Sequence, residues 1–109
     1  MATTYKVLAQ SAPSATTATD IYTVPGSTQS IISSIVVANR SASAVTYRIA
    51  VRPNGATLAN QHYVAYDVNV GASDSTTITL GITMDAADVL TVYASTADLS
   101  FNVFGSEIA

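Results

Sequence analysis

The sequence contains no cysteine and no tryptophan. Without thiols it has no disulfide framework, no thiolate metal site and no cysteine nucleophile. Charge is also scarce: Asp, Glu, Lys and Arg make up 10% of the 109 residues, against about 25% in ordinary globular domains. Four Lys and Arg in a chain of net charge −3 cannot form the basic stripe that neutralises phosphates, so nucleic acid is excluded as a partner. No run approaches the roughly 18 consecutive apolar residues of a membrane-spanning helix, and no membrane partner is expected. The opening MATTYKVLAQ lacks a basic stretch followed by an apolar one, so no secretory signal is expected there. There is no amphipathic helical period and no repeat at a fixed spacing.

Apolar residues nevertheless make up 49% of the chain. Disorder requires low hydrophobicity and high charge, so this chain folds, and its length suits one domain spanning 1–109. The polar surface must come from Ser, Thr and Asn. Such a weakly charged coat suits a subunit packed against other subunits, where dense charge would have to be desolvated.

The pattern is organised around residues 30–52, SIISSIVVANRSASAVTYRIAVR. In its second half Val45, Tyr47, Ile49 and Val51 alternate with Thr46, Arg48, Ala50 and Arg52, the period of a half-buried strand. In its first half Ile31, Ile35 and Val37 take one face, while Ile32, Val36 and Ala38 take the other. Both faces are therefore apolar, and a small domain has one interior. The expectation is a long hairpin closed by Asn39-Arg40-Ser41-Ala42-Ser43, with Ile32 and Val36 turned toward another chain.

Elsewhere the chain reads as short strands between turn signals. Tyr5 and Val7 oppose Lys6, Leu8 and Gln10, which puts Leu8 on the outer side of a first strand. The small-residue run 11–19 follows as a flexible linker, and segment 1–19 as a whole is a candidate inter-subunit arm. A short strand over 20–24 ends at Pro25-Gly26. Over 61–70, Val64, Tyr66, Val68 and Val70 face inward and Tyr63 outward. Over 76–84, Ile78, Leu80, Ile82 and Met84 share a face. Strands over 89–96 and 98–104 complete the chain, with Leu99, Phe101 and Val103 inward. About eight strands without a helix predict an all-β fold, a single-domain antiparallel β-sandwich of jelly-roll type.

Candidate chemistry is thin. His62 is the only histidine, and no strand–elbow–helix motif brings a serine and an acid to it. Asp85 and Asp88, like Asp74, are too few for calcium and read as turn formers. No catalytic residue, metal or cofactor is expected. Arg48 and Arg52 share an outward face about 13 Å apart, placed to pair with aspartates of a neighbouring strand or subunit. Outward tyrosines such as Tyr63 suit interfaces. The interface candidates are thus Leu8, Ile32, Val36, Arg48, Arg52 and Tyr63.

The runs ATDIYTVPGSTQSIISSIVVANRSASAVTYRIAVRPNG, HYVAYDVNV and ITMDAADVLTVYAS, with the ending LSFNVFGSEIA, resemble small all-β virion structural proteins of tailed bacteriophages, those of cyanobacterial phages among them. The resemblance spans residue 5 to the C-terminus. It implies a non-enzymatic protein of the virion, assembled in the host cytoplasm. As a capsid decoration (cement) protein it would sit on the major capsid protein or other virion proteins, and the two-faced apolar strand over 31–38 with the low charge predicts a homo-oligomer, a trimer. As a tail-tip or fibre component it would bind a host surface glycan.

Overall fold

Among the described residues the recurring period of two becomes nine strands: β1 (Thr3–Ser11), β2 (Thr19–Thr23), β3 (Gln29–Asn39), β4 (Val45–Arg52), β5 (Tyr63–Val70), β6 (Ser75–Ile78), β7 (Ile82–Met84), β8 (Val89–Ala94) and β9 (Leu99–Ile108). The computed structural model describes residues 2–79 and 81–109. Leu80, expected to share a face with Ile78, Ile82 and Met84, lies outside the described residues. The helical content of the described residues is two single 3-10 turns, Pro53–Gly55 and Asn60–His62, both in the β4–β5 connection.

Strand pairing is nested and antiparallel. β4 pairs with β5, β3 with β6 and β7, β2 with β8, and β1 with β9. The chain is therefore one long ribbon folded back between β4 and β5, then rolled so that β9 meets β3 and β8 meets β4. A first sheet has the order β1-β9-β3-β6, with β7 also on β3, and a second has the order β2-β8-β4-β5. Taking β6 and β7, which both pair with β3, as one edge strand leaves eight strands in two sheets, the arrangement of a jelly roll. Gly81, just before β7, has a left-handed φ of 62°.

The hairpin expected over 30–52 is not formed. β3 lies in the first sheet and β4 in the second, because each carries an apolar row that must face the same interior. Ile32, Ile35 and Val37 look across it at Val45, Tyr47 and Ile49, all buried. At its centre the rings of Tyr47 and Phe101 meet edge to face, 6.1 Å between centroids. The intervening residues 40–44 turn a corner held by buried Asn39. Its Nδ2 donates to the carbonyls of Ser43, Val70 and Gly71, and its Oδ1 accepts from the Ser41 amide and hydroxyl. The 12–18 segment likewise crosses an end of the sandwich, where the Thr16 amide donates to the Ala94 carbonyl at 2.8 Å.

Two bulges decide which side chains enter the core. The β3–β9 register skips Ser33, opposite Phe104 and Gly105, and the β1–β9 register skips Leu8, opposite Val103 and Phe104. An extra residue inverts the alternation beyond it. In β3, Ile32 before the bulge and Ile35 and Val37 after it therefore point the same way, inward. A lost ladder bond costs about 1 kcal/mol net, whereas each aliphatic side chain kept from water contributes about 1.5–3 kcal/mol. The bulge wins. Ile32 is thus a core residue rather than a partner-facing one, and so is Leu8, which leaves Tyr5 and Val7 outside. In β5 a third irregularity at Tyr66 and Asp67 separates exposed Val64 and Tyr66 from Val68 and Val70, which pack inward.

Gly105 makes the β3 bulge possible. A Cβ there would lie 2.0 Å from the Ile31 carbonyl oxygen and 3.0 Å from the Ile32 Cα, so β9 and β3 could not keep their spacing. Gly105→Ala is expected to lower stability by about 2 kcal/mol or more, the cost of forced overpacking. Urea unfolding measures this, and a loss below about 0.5 kcal/mol, the size of a surface substitution, would contradict it.

Candidate interaction faces

The outer face of the second sheet is polar and aromatic. Alternation in β4 sends Arg48 and Arg52 outward, as expected. The Arg48 Nε donates to Asp67 Oδ1 at 2.7 Å, and its guanidinium lies 4.2 Å from the Tyr66 ring centre and 4.3 Å from that of Tyr93. Asp67 reaches it through the β5 bulge, with a left-handed φ of 50° that a short polar side chain tolerates. Tyr63 stands edge-on to Tyr66, 4.9 Å between centroids. Arg52 bonds Asp20 at 2.8 Å, Thr91 Oγ1 at 3.0 Å and the Ala56 carbonyl at 2.9 Å. Asp67 is on the strand beside β4, while Asp20 is on β2 with β8 between. Both arginines are engaged within the chain, and the face offers solvent chiefly Tyr66, 55% exposed.

The outer face of the first sheet is different in kind. Register places Tyr5, Ser106, Ile31 and Thr83 in one row across β1, β9, β3 and β7. Val7, Phe104 and Ser34 form a second row, and Gln10, Asn102, Val36 and Thr77 a third. Tyr5 is 84% exposed, Val7 47% and Ile31 38%, and Val36 is half-buried. Among the described residues this face carries no Asp, Glu, Lys or Arg, since Lys6 and Glu107 belong to the inward rows. Of the six interface candidates, Val36 lies on this face; Arg48, Arg52 and Tyr63 lie on the opposite one, and Leu8 and Ile32 in the core. Tyr5, Val7, Ile31, Phe104, Tyr66 and Tyr93 were not singled out from the sequence. One signal was available: two polar residues, Ser33-Ser34, interrupt the aliphatic run at the point where the register shifts.

At one rim the sheets are tied by polar groups. The Tyr22 hydroxyl of β2 donates to Glu107 Oε2 of β9 and lies 2.6 Å from Ser30 Oγ of β3, and Lys6 Nζ of β1 reaches Glu107 Oε1 at 3.0 Å. The hydrogen bond from Tyr22, then the one from Lys6, hold the Glu107 carboxyl below the usual carboxylate range. Burial, then the bond to Glu107, pushes the Tyr22 hydroxyl up to about 12. A lowered carboxyl contributes stability that is present above its unfolded value and lost as pH falls through its folded one. Unfolding midpoints below about pH 4 should therefore drop less steeply in Tyr22→Phe than in the parent, since glutamate ordinarily titrates near pH 4.3. Superimposable pH profiles would show that this bond carries no linkage.

The remaining polar groups serve the backbone. His62 is buried, and its Nδ1 accepts from the Ala59 amide at 3.0 Å. Asp88 accepts from the Asn54 and Asp85 amides, Asp85 from that of Ala86, and Asp74 from that of Ser75. A shallow groove of about 390 Å³ beside Asp88 is lined by Gln29, Ile31, Met84 and Ile108. No family model and no curated protein matches the sequence.

Proposed function

We propose that this is a non-enzymatic structural protein of a tailed-phage virion, a decoration (cement) protein that oligomerises on the outside of the head and stabilises the shell. The resemblance of the whole strand pattern supports this reading, and so does the charge-free outer face of the first sheet, the observation that carries it. Interface centres are depleted in charge and enriched in aromatic side chains, and exposed apolar surface of this kind marks contact sites. The action is mechanical. Each copy bound to the assembled shell, and not to its dissociated parts, shifts the equilibrium toward the assembled state by mass action. Its partners are further copies of itself and the major capsid protein or other virion proteins. Of the grounds for a trimer, the low charge and an outward Val36 stand, while Ile32 is in the core.

A second reading has its own observation. Exposed Tyr66, braced by Tyr63 and beside the Arg48–Asp67 pair, offers an aromatic surface next to hydrogen-bonding groups, which suits a tail-tip or fibre domain that holds a glycan. Copy number per purified particle, by quantitative mass spectrometry, separates the two. Hundreds of copies are expected for a head decoration; a handful would favour the tail reading, and absence from particles would overturn both.

A further inference from the structure

The occupant of the first sheet's outer face can be argued from the face itself. Its three long strands have 9, 10 and 11 residues. At about 3.3 Å per residue, and with these three strands roughly 4.8 Å apart, it offers about 480 Å². Two such faces together would bury about 950 Å², the size of a weak, reversible contact. Charge decides between faces. A contact between copies on the second sheet would have to desolvate the Arg48–Asp67 and Arg52–Asp20 pairs. A contact through the loops would bring together Asp74, Asp85, Asp88 and Asp98 of two chains that each carry net −3. Only on the first sheet can two copies meet without opposing or stripping a charge.

The side-chain heights on this face are self-complementary. β9 is the central strand, with β1 on one side and β3 on the other. A two-fold axis lying in the interface along β9 carries β1 of one copy over β3 of the other. Tyr5 and Ile31 share a row with Ser106 between them. The tall, 84% exposed Tyr5 then meets the lower Ile31 of the partner subunit beside Ser106, twice by symmetry. We propose that the outer face of the first sheet is a self-association face, on which two copies pack with Tyr5 of each against Ile31 of the other. Sheets stacked this way lie about 10 Å apart with their strands within about 30°. With little area and no buried charge pair or deep aromatic pocket to anchor it, the association is expected to be weak, at a Kd of about micromolar. The inference names a partner for the face on which the proposed function rests, but does not require a virion.

Sedimentation equilibrium of the full chain at about 100 μM, well above a micromolar Kd, tests it. The parent is expected near the mass of two copies. Tyr5→Lys and Ile31→Glu, each placing an unpaired charge in the contact, are expected to weaken association by about tenfold or more. Both residues are exposed, so the variants should keep the parent's circular dichroism. The double variant should recover the dimer, because each introduced ammonium faces an introduced carboxylate of the other copy; Tyr66→Ser should change nothing. A monomeric parent, single variants that associate normally, or a double variant as weak as the singles would each overturn the proposal. A monomer abundant in particles would remove this inference and leave the functional reading standing. A dimer absent from particles would do the reverse.

Discussion

β3 comes so close to β9 at Gly105 that no side chain fits between the Ile31 carbonyl and the facing strand. The extra residue at Ser33 sits in that contact, and the extra residue at Leu8 lies on the other side of β9. Together they set the phase of the first sheet. Beyond each bulge the alternation is inverted, so both halves of β3 can direct aliphatic side chains inward. Without that inversion either Ile32 or the pair Ile35 and Val37 would face water, a loss several times the value of one ladder bond. The same inversion puts Tyr5, Val7, Ile31 and Val36 on the outside.

Segregation of charge follows from this packing. The few ionic groups are placed where they brace the fold. Arg48 and Arg52 bind β5, β2 and the β4–β5 connection across the second sheet, Lys6 and Glu107 close one rim, Asp74, Asp85 and Asp88 hold turns, and Arg40 and Asp98 bond the Ala97 carbonyl and the Thr96 hydroxyl between β8 and β9. None remains for the first sheet's outer face. Exposed ion pairs contribute little, about 0–1 kcal/mol each, so their placement bears less on stability than on which surface stays free of charge. A neutral face with exposed aromatic and aliphatic groups is open to contact, and the functional reading grows from it.

Strand number, the all-β class and the inward rows of β4 and β9 were legible in the sequence, because Val45, Tyr47 and Ile49, like Leu99, Phe101 and Val103, follow an uninterrupted period of two. Three features were not. The corner at Asn39 resembles a hairpin loop in sequence, and only long-range pairing sends β3 and β4 to different sheets. Leu8 and Ile32 were placed outside because a bulge carries no composition of its own, although Ser33-Ser34 marked the break in β3. The Asp67 bulge similarly turned Tyr66 outward, toward Arg48, when alternation had put it inward. The arginines' aspartate partners were anticipated as a class, but the pairing with Asp20 spans an intervening strand that no local pattern reveals.

The phase of β3 is the claim on which both the core and the free face depend, and the absence of native cysteine makes it directly measurable. Ile31→Cys and Ile32→Cys can be labelled separately with a thiol reagent, at a dilution below the micromolar range of association. The account predicts rapid modification at position 31 and protection at position 32 until the chain unfolds. Rapid modification at 32 with protection at 31 would place the alternation the other way and contradict it.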